Sequence, residues 1–406
     1  MSGSGGSAKP RTLLVGQSGG ATAVINASLI GVVEAALGSG RFDRVLGMRH
    51  GIEGLLSEDF IDLGRQPKFV LERVRRTPSA ALGTGRRKLS NDELGQALDL
   101  LRKHGVTALV YIGGNDSADT AHRLHQAARS AGDDLAVVSV PKTIDNDLPA
   151  TDHCPGYPSL ARFLANAVRD ATYDTLASPQ LYPVKFIDVM GRDAGWVAAA
   201  CSLAFSETEA DLQPLLFLPE FPPESAETMV AEIEACVRDQ GWAVAVVPET
   251  LRDAAGRHLG GDEPDYVDPF GHPYYPQPAV SLARLVTERT GLRARFERPG
   301  TAARMSISLA SPIDLDEAER AGRFAVACIL RGESDIMTSI VRTANDPYCS
   351  EIDRVPLAEV ANRVRPFPAE FIGADRRSVT DDFRRYALPL LGPNPFPAYG
   401  RLLDLT

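Results

Sequence analysis

Short apolar, β-branched runs alternate along the chain with longer stretches in which apolar residues recur every three to four positions. Thr12 to Val15, Leu109 to Ile112, Leu135 to Val140, Val184 to Val189, Leu215 to Leu218 and Ala243 to Val247 read as buried strands. Between them, Ala21 to Leu37, Asp92 to Lys103, Ser117 to Arg129, Ala194 to Leu203, Ala226 to Arg238 and Leu315 to Leu330 carry helical spacing. This alternation predicts an α/β protein with mainly parallel sheets, both faces covered by helices. In open sheets of this kind ligands bind beyond the carboxyl ends of the strands. The polar, Gly-rich segments that follow the strands are therefore where chemistry is expected.

Composition narrows the picture. A chain of 406 residues with 44% hydrophobic content can bury a sizeable core and is expected to divide into two lobes. The 43 Lys and Arg against 53 Asp and Glu leave a net charge of -10, which argues against a nucleic-acid surface, because polyanions need a basic field. A bound anion must then be held by a local group of cations. Cys154, Cys201, Cys236, Cys328 and Cys349 are scattered, odd in number and without a C-x-x-C pair, so reduced thiols are expected rather than a disulfide framework or zinc site. Residues 1–10 (MSGSGGSAKP) lack an apolar signal core and no stretch reaches the ~18 apolar residues of a membrane span. The expectation is a flexible tail, no membrane partner and a cytoplasmic location. The Pro- and aromatic-rich stretches 264–278 and 391–399 read as surface excursions.

Four loops combine residue types with a common chemistry. Gly16 to Thr22 (GQSGGAT) lies between a strand and a helix, where glycine lets backbone N–H groups approach a phosphate and the helix start adds partial positive charge. It matches neither a Walker A sequence nor G-x-G-x-x-G, and a tight turn without ligand explains it equally well. Gly113 to Ser117 (GGNDS) repeats the arrangement, with helix capping as the plain role of Asp116 or Ser117. Two such loops point to a donor with more than one phosphate. Pro141 to Asp147 (PKTIDND) places two carboxylates, a hydroxyl and an ammonium after a buried strand, which supplies a base for an alcohol and positive charge for a moving phosphoryl. Met190 to Gly195 (MGRDAG) offers the Arg192 fork to a phosphate or hydroxyl. Further cations stand at Arg86, Arg87 and Lys88, and at Arg295, Arg298 and Arg304.

GGNDS, PKTIDND, MGRDAGW and VVPE, in this order after successive strands, closely resemble the phosphofructokinase family, from about Thr12 to beyond Arg304. The resemblance implies two Rossmann-like lobes with the site in the cleft. Residues 11–155 with about 305–345 would bind the donor, and 156–304 with about 346–406 the sugar phosphate. It implies that Asp145 is the base for the sugar 1-hydroxyl and that Asp147 orients the acceptor. Thr143, Ile144, Met190, Gly191, Arg192 and Glu249 would hold fructose 6-phosphate, Arg295 and Arg304 would grip its phosphate or the moving group, and Gly20, Arg86 and Gly114 would line the donor phosphates.

Two side chains direct the choice of donor. Asp116 stands where ATP-using members usually carry glycine, and a carboxylate about 4 Å from a nucleotide's α-phosphate would repel it by several kcal/mol. Lys142 stands where those members have a small residue, and its ammonium would stabilise a leaving phosphate. Both agree with the pyrophosphate-dependent branch, and the two side chains could also pair with each other.

Three departures limit the carry-over. Asn115 replaces the aspartate commonly assigned to Mg²⁺, so the ion is expected to be held largely by diphosphate and water near Asp145 or Asp147. The GT-x-QR pattern reads Gly300-Thr301-Ala302-Ala303-Arg304. Pro183 stands where the family's cross-subunit arginine is usual, with Lys185 two residues on as a candidate replacement or a solvent-facing lysine. The readings carried forward are a diphosphate-dependent transferase, an ATP-dependent enzyme with Asp116 turned away, and a non-catalytic sugar-phosphate-binding subunit. The resemblance also implies a homodimer or homotetramer.

Overall fold

The computed structural model describes residues 11–267 and 273–402; the tail expected over residues 1–10 and part of the 264–278 excursion lie outside the described residues. In chain order the strands are β1 (Thr12–Gln17), β2 (Arg44–Met48), β3 (Phe60–Asp62), β4 (Val106–Gly113), β5 (Ala136–Pro141), β6 (Val184–Val189), β7 (Leu215–Leu216), β8 (Ala243–Pro248), β9 (Tyr266–Val267), β10 (Pro273–Tyr274), β11 (Ala294–Glu297), β12 (Ile336–Asn345) and β13 (Tyr348–Pro356). Seven of them form a sheet in the order β13-β12-β5-β4-β1-β2-β3. Its middle is parallel, and β3 and β13 are antiparallel edges. The second sheet, β11-β6-β8-β7, is parallel throughout. Every residue of β1, β6 and β8 is buried, as strands covered on both faces require.

The helices Ile25–Gly38 and Pro312–Leu330 cross on one face of the large sheet. A Cβ on Gly31 would stand 2.2 Å from the Glu319 carbonyl oxygen, and one on Gly322 would stand 2.1 Å from that of Ser28. These two glycines set how closely the backbones approach.

The fold corrects several expectations. The first helix begins at Ile25 rather than Ala21, because Thr22 Oγ1 accepts the N–H groups of Val24 (3.3 Å) and Ile25 (3.0 Å) and leaves the preceding residues as loop. The helix expected over Ala194–Leu203 is an α-helix only at Trp196–Ala200 and tightens to a 3₁₀ turn at Cys201–Ala204. β13 pairs with β12 along its length, so the large sheet extends to Pro356. The five cysteines are free thiols. Among the described residues no helix is long and apolar enough to cross a membrane.

Candidate active site

Register brings the loops to one level. Gly113 at the end of β4 lies opposite Pro141 at the end of β5. Lys142 N–H donates to the Gly113 carbonyl (3.0 Å), and Ser18 N–H donates to that of Ile112 (2.9 Å). The turn around Gly85 is fastened onto this floor: Gly19 N–H donates to the Gly85 carbonyl (3.1 Å), and Thr84 Oγ1 donates to the Gly19 carbonyl (2.5 Å). Arg86 is thereby carried into the cleft. A Cβ on Gly20 would meet the Arg304 guanidinium at 2.7 Å, so glycine is what admits that arginine.

Across the cleft, Glu249 N–H donates to the Val189 carbonyl (2.9 Å), which sets Glu249 level with Met190. Gly191 turns the chain there with φ 120°, and a Cβ on it would lie 2.8 Å from that of Val197. In the loop after β5, Thr143 Oγ1 accepts the Asp145 N–H (3.1 Å) and Asn146 takes a left-handed φ of 54°. The result is a cavity of about 720 Å³ lined by Gly20, Arg86, Lys142, Thr143, Ile144, Asp145, Met190, Arg192, Glu249 and Arg304, among others. It adjoins a groove of about 410 Å³, where Gly114, Asn115, Asp116 and Asp147 join Gly20, Arg86 and Lys142.

The charges are tuned by burial and by one another. Burial pushes the Asp145 carboxyl up to about 7; Asp147 and Glu249 add to the shift, and Arg192 and Lys142 oppose it. Lys142 is buried, which draws its ammonium down to about 8; Arg304 and Arg86 press the same way against Asp145 and Asp147. Glu249 is also raised, chiefly by burial. A carboxylate and an ammonium that both titrate near neutrality are matched to proton abstraction beside a developing anion.

A phosphofructokinase family model matches residues 12–329 of the chain. The chain belongs to the phosphofructokinase family. It is similar to the pyrophosphate–fructose 6-phosphate 1-phosphotransferase of Methylococcus capsulatus, with 38% identity over 398 residues that cover 96% of this chain and 93% of the relative. The enzyme of the same name from Xanthomonas campestris pv. campestris is 38% identical over 394 residues, 96% and 93% of the two chains. The crystal structure of a pyrophosphate-dependent phosphofructokinase from Nitrosospira multiformis aligns with a TM-score of 0.86 at 33% identity, covering 97% of this chain and 95% of that one.

Four expected roles meet a different arrangement in this phosphofructokinase cleft. Asp116 pairs with Lys88 (2.7 Å) and not with Lys142. The Asn115 amide is engaged by backbone: its oxygen accepts the Asn362 N–H (2.7 Å) and its nitrogen donates to the Arg363 carbonyl. Arg295 is not among the residues lining the cleft; on the edge strand β11 its guanidinium stacks 3.4 Å from the centre of the Tyr182 ring. Lys185 is buried rather than solvent-facing and is bound to Asp174 (2.5 Å).

The cleft also contains residues to which no role was assigned from sequence. Arg298 lines it, and Asp188 in β6 is buried beside it with its carboxyl raised to about 7 by burial. With its amide oriented to satisfy both neighbours, Gln277 donates to Asp188 (3.1 Å) and accepts from Arg298 (3.2 Å). An acid within an apolar strand was the available signal for Asp188. Asn362 and Val364 line the smaller groove and carry no such signal.

Proposed function

We propose that the protein transfers a phosphoryl group from diphosphate to the 1-hydroxyl of D-fructose 6-phosphate, reversibly, giving fructose 1,6-bisphosphate and phosphate. The observation that carries this reading is the buried Lys142 ammonium, which lines both the larger cavity and the adjoining groove and is coupled to Asp145. The sugar phosphate is assigned to the larger cavity and diphosphate to the groove. The names of the full-length relatives support the same donor and acceptor.

In the proposed reaction Asp145 removes the proton of the 1-hydroxyl, whose oxygen forms a bond to the near phosphorus while the bridging P–O bond breaks and phosphate leaves. Lys142, Arg86 and the N–H groups at Gly20 and Gly114 face the charge that spreads over the transferred group. Glu249, Arg192 and Arg304 hold the acceptor, with Asp147 orienting it.

Among the described residues no three His, Cys, Asp or Glu side chains gather into a metal site. Asp145 and Asp147 line the groove and would supply the one or two carboxylates that Mg²⁺ uses beside phosphate and water. The ion is assigned to the diphosphate complex, where it would neutralise phosphate charge. A homodimer or homotetramer and a cytoplasmic location belong to the same proposal; Arg295, outside its own cleft, is then available to a neighbouring copy.

A coupled assay with fructose 6-phosphate and either diphosphate or ATP tests the reading. Turnover with diphosphate and none with ATP is expected. Turnover with ATP alone removes the donor assignment, and none with either donor favours the non-catalytic reading.

A further inference from the structure

After Leu330 the chain has left the segment that the family model matches, yet residues 362–365 return to the cleft. Both ends of this short segment are tied to elements that carry the proposed chemistry. At one end the Asn115 amide, in the first turn of the helix Asn115–Ser130, accepts from Asn362 N–H (2.7 Å) and donates to the Arg363 carbonyl. The Asn362 side chain donates to Asp119 one turn further along the same helix (2.7 Å).

At the other end Arg365 clasps the catalytic loop. Its N–H donates to the Asp147 carbonyl (2.7 Å), and its guanidinium donates to the carbonyls of Asn146 (2.8 Å), Thr151 (2.9 Å) and Asp152 (2.8 Å). The same guanidinium lies 4.5 Å from the centre of the Trp196 ring, whose indole N–H donates back to the Arg365 carbonyl (3.4 Å). Between the anchors, Asn362 and Val364 line the smaller groove together with Asp116, Lys142 and Arg86.

We propose that residues 362–365 are a strap that sets the distance between the donor turn at Gly114–Asp116 and the catalytic loop at Asp145–Asp147, with Asn115 and Arg365 as its positioning residues. The proposal rests on the assignment of diphosphate to the groove. Phosphoryl transfer requires the donor phosphorus and the attacking oxygen to be held near contact, and displacements of about 1 Å cost on the order of a hundredfold in rate. The two loops bear those two partners, and the strap joins them: it holds the Asn115 and Asp119 side chains at one end and grips main-chain carbonyls of the other loop through Arg365. The arrangement also accounts for asparagine at 115: an aspartate could accept from Asn362 but could not donate to the Arg363 carbonyl.

Steady-state kinetics of Asn115→Ala and Arg365→Ala in the full chain test the strap. Asn115→Ala is expected to raise the KM for diphosphate about tenfold while that for fructose 6-phosphate stays within about twofold; Arg365→Ala is expected to lower kcat about a hundredfold with little change in either KM. Unchanged constants, or KM values for both substrates that rise in parallel, overturn the proposal.

Hydrogen exchange on the unaltered protein gives a second measurement that does not depend on the folding of a variant. Imidodiphosphate, which is not hydrolysed, is expected to slow exchange at 114–118 and at 361–366 together. Slowing at 114–118 alone overturns the strap. Failure of imidodiphosphate to bind overturns both the donor assignment and the strap, whereas binding that slows exchange at 114–118 alone leaves only the strap at fault.

Discussion

The Asp116 carboxylate lies 2.7 Å from the Lys88 ammonium, and both side chains are more than half exposed. An exposed pair of this kind contributes little to stability. Asp116 lines the groove assigned to diphosphate, and on that assignment the pair would occupy the space beyond a two-phosphate donor. Lys88 compensates its charge, so on the same assignment a nucleotide would be excluded by occupied space as well as by repulsion.

Asp116→Gly should accordingly admit ATP, giving measurable ATP-dependent turnover where the unaltered protein has none. Lys142→Gly should lower diphosphate-dependent turnover by about 10²–10³-fold through loss of leaving-group stabilisation. The donor assay reads both variants.

The pH dependence follows from the two shifted groups. Asp145 must be ionised to accept a proton, so activity should rise as pH passes about 7. Lys142 must be protonated, so activity should fall as pH passes about 8. A narrow bell in kcat/KM between these limbs is expected. Lys142→Met should remove the alkaline limb from the residual activity.

Asp145→Asn should lower kcat by about 10²–10⁴-fold with KM values within about threefold. The same change should stabilise the fold. The carboxyl titrates at about 7 in the folded chain against 3.8 for an unperturbed aspartate, so the native state binds the proton more tightly and ionisation costs stability. The gain on substitution should be absent below pH 3.8, grow up to about pH 7 and remain constant above it. Thermal melts of the two proteins at pH 5 and pH 8 would show this widening gap.

Gly31→Ala tests the helix crossing beneath the large sheet. The added Cβ would stand 2.2 Å from the Glu319 carbonyl oxygen, which is backbone and cannot swing aside. A loss of about 1–3 kcal/mol, typical of overpacking, is expected in urea unfolding.

Much of the lining of the cleft was legible along the chain. Lys142, Thr143, Asp145, Met190, Arg192 and Glu249 line one cleft because each follows a strand whose apolar run could be read locally. Parallel pairing brings the carboxyl ends of β6 and β8 to a common level, while β5 ends in the other sheet and its loop lines the cleft from that side. The sheet edge was less legible: β13 is partly exposed along its length, with no continuous apolar run to reveal that it belongs to the large sheet.

The order of apolar strands, the loops that follow them and the residue types in those loops were determined by the sequence alone, since burial on both faces and glycine's backbone freedom are written in local pattern. Which groups meet was decided only in three dimensions. Lys88 rather than Lys142 reaches Asp116, Arg295 lies on Tyr182 rather than in the cleft, and Asn362 comes back over Asn115 from 247 residues away. Such pairings depend on where the packed lobes place distant backbone and on which side chains can span the remaining gap, and neither quantity is encoded in the spacing of residues along the chain.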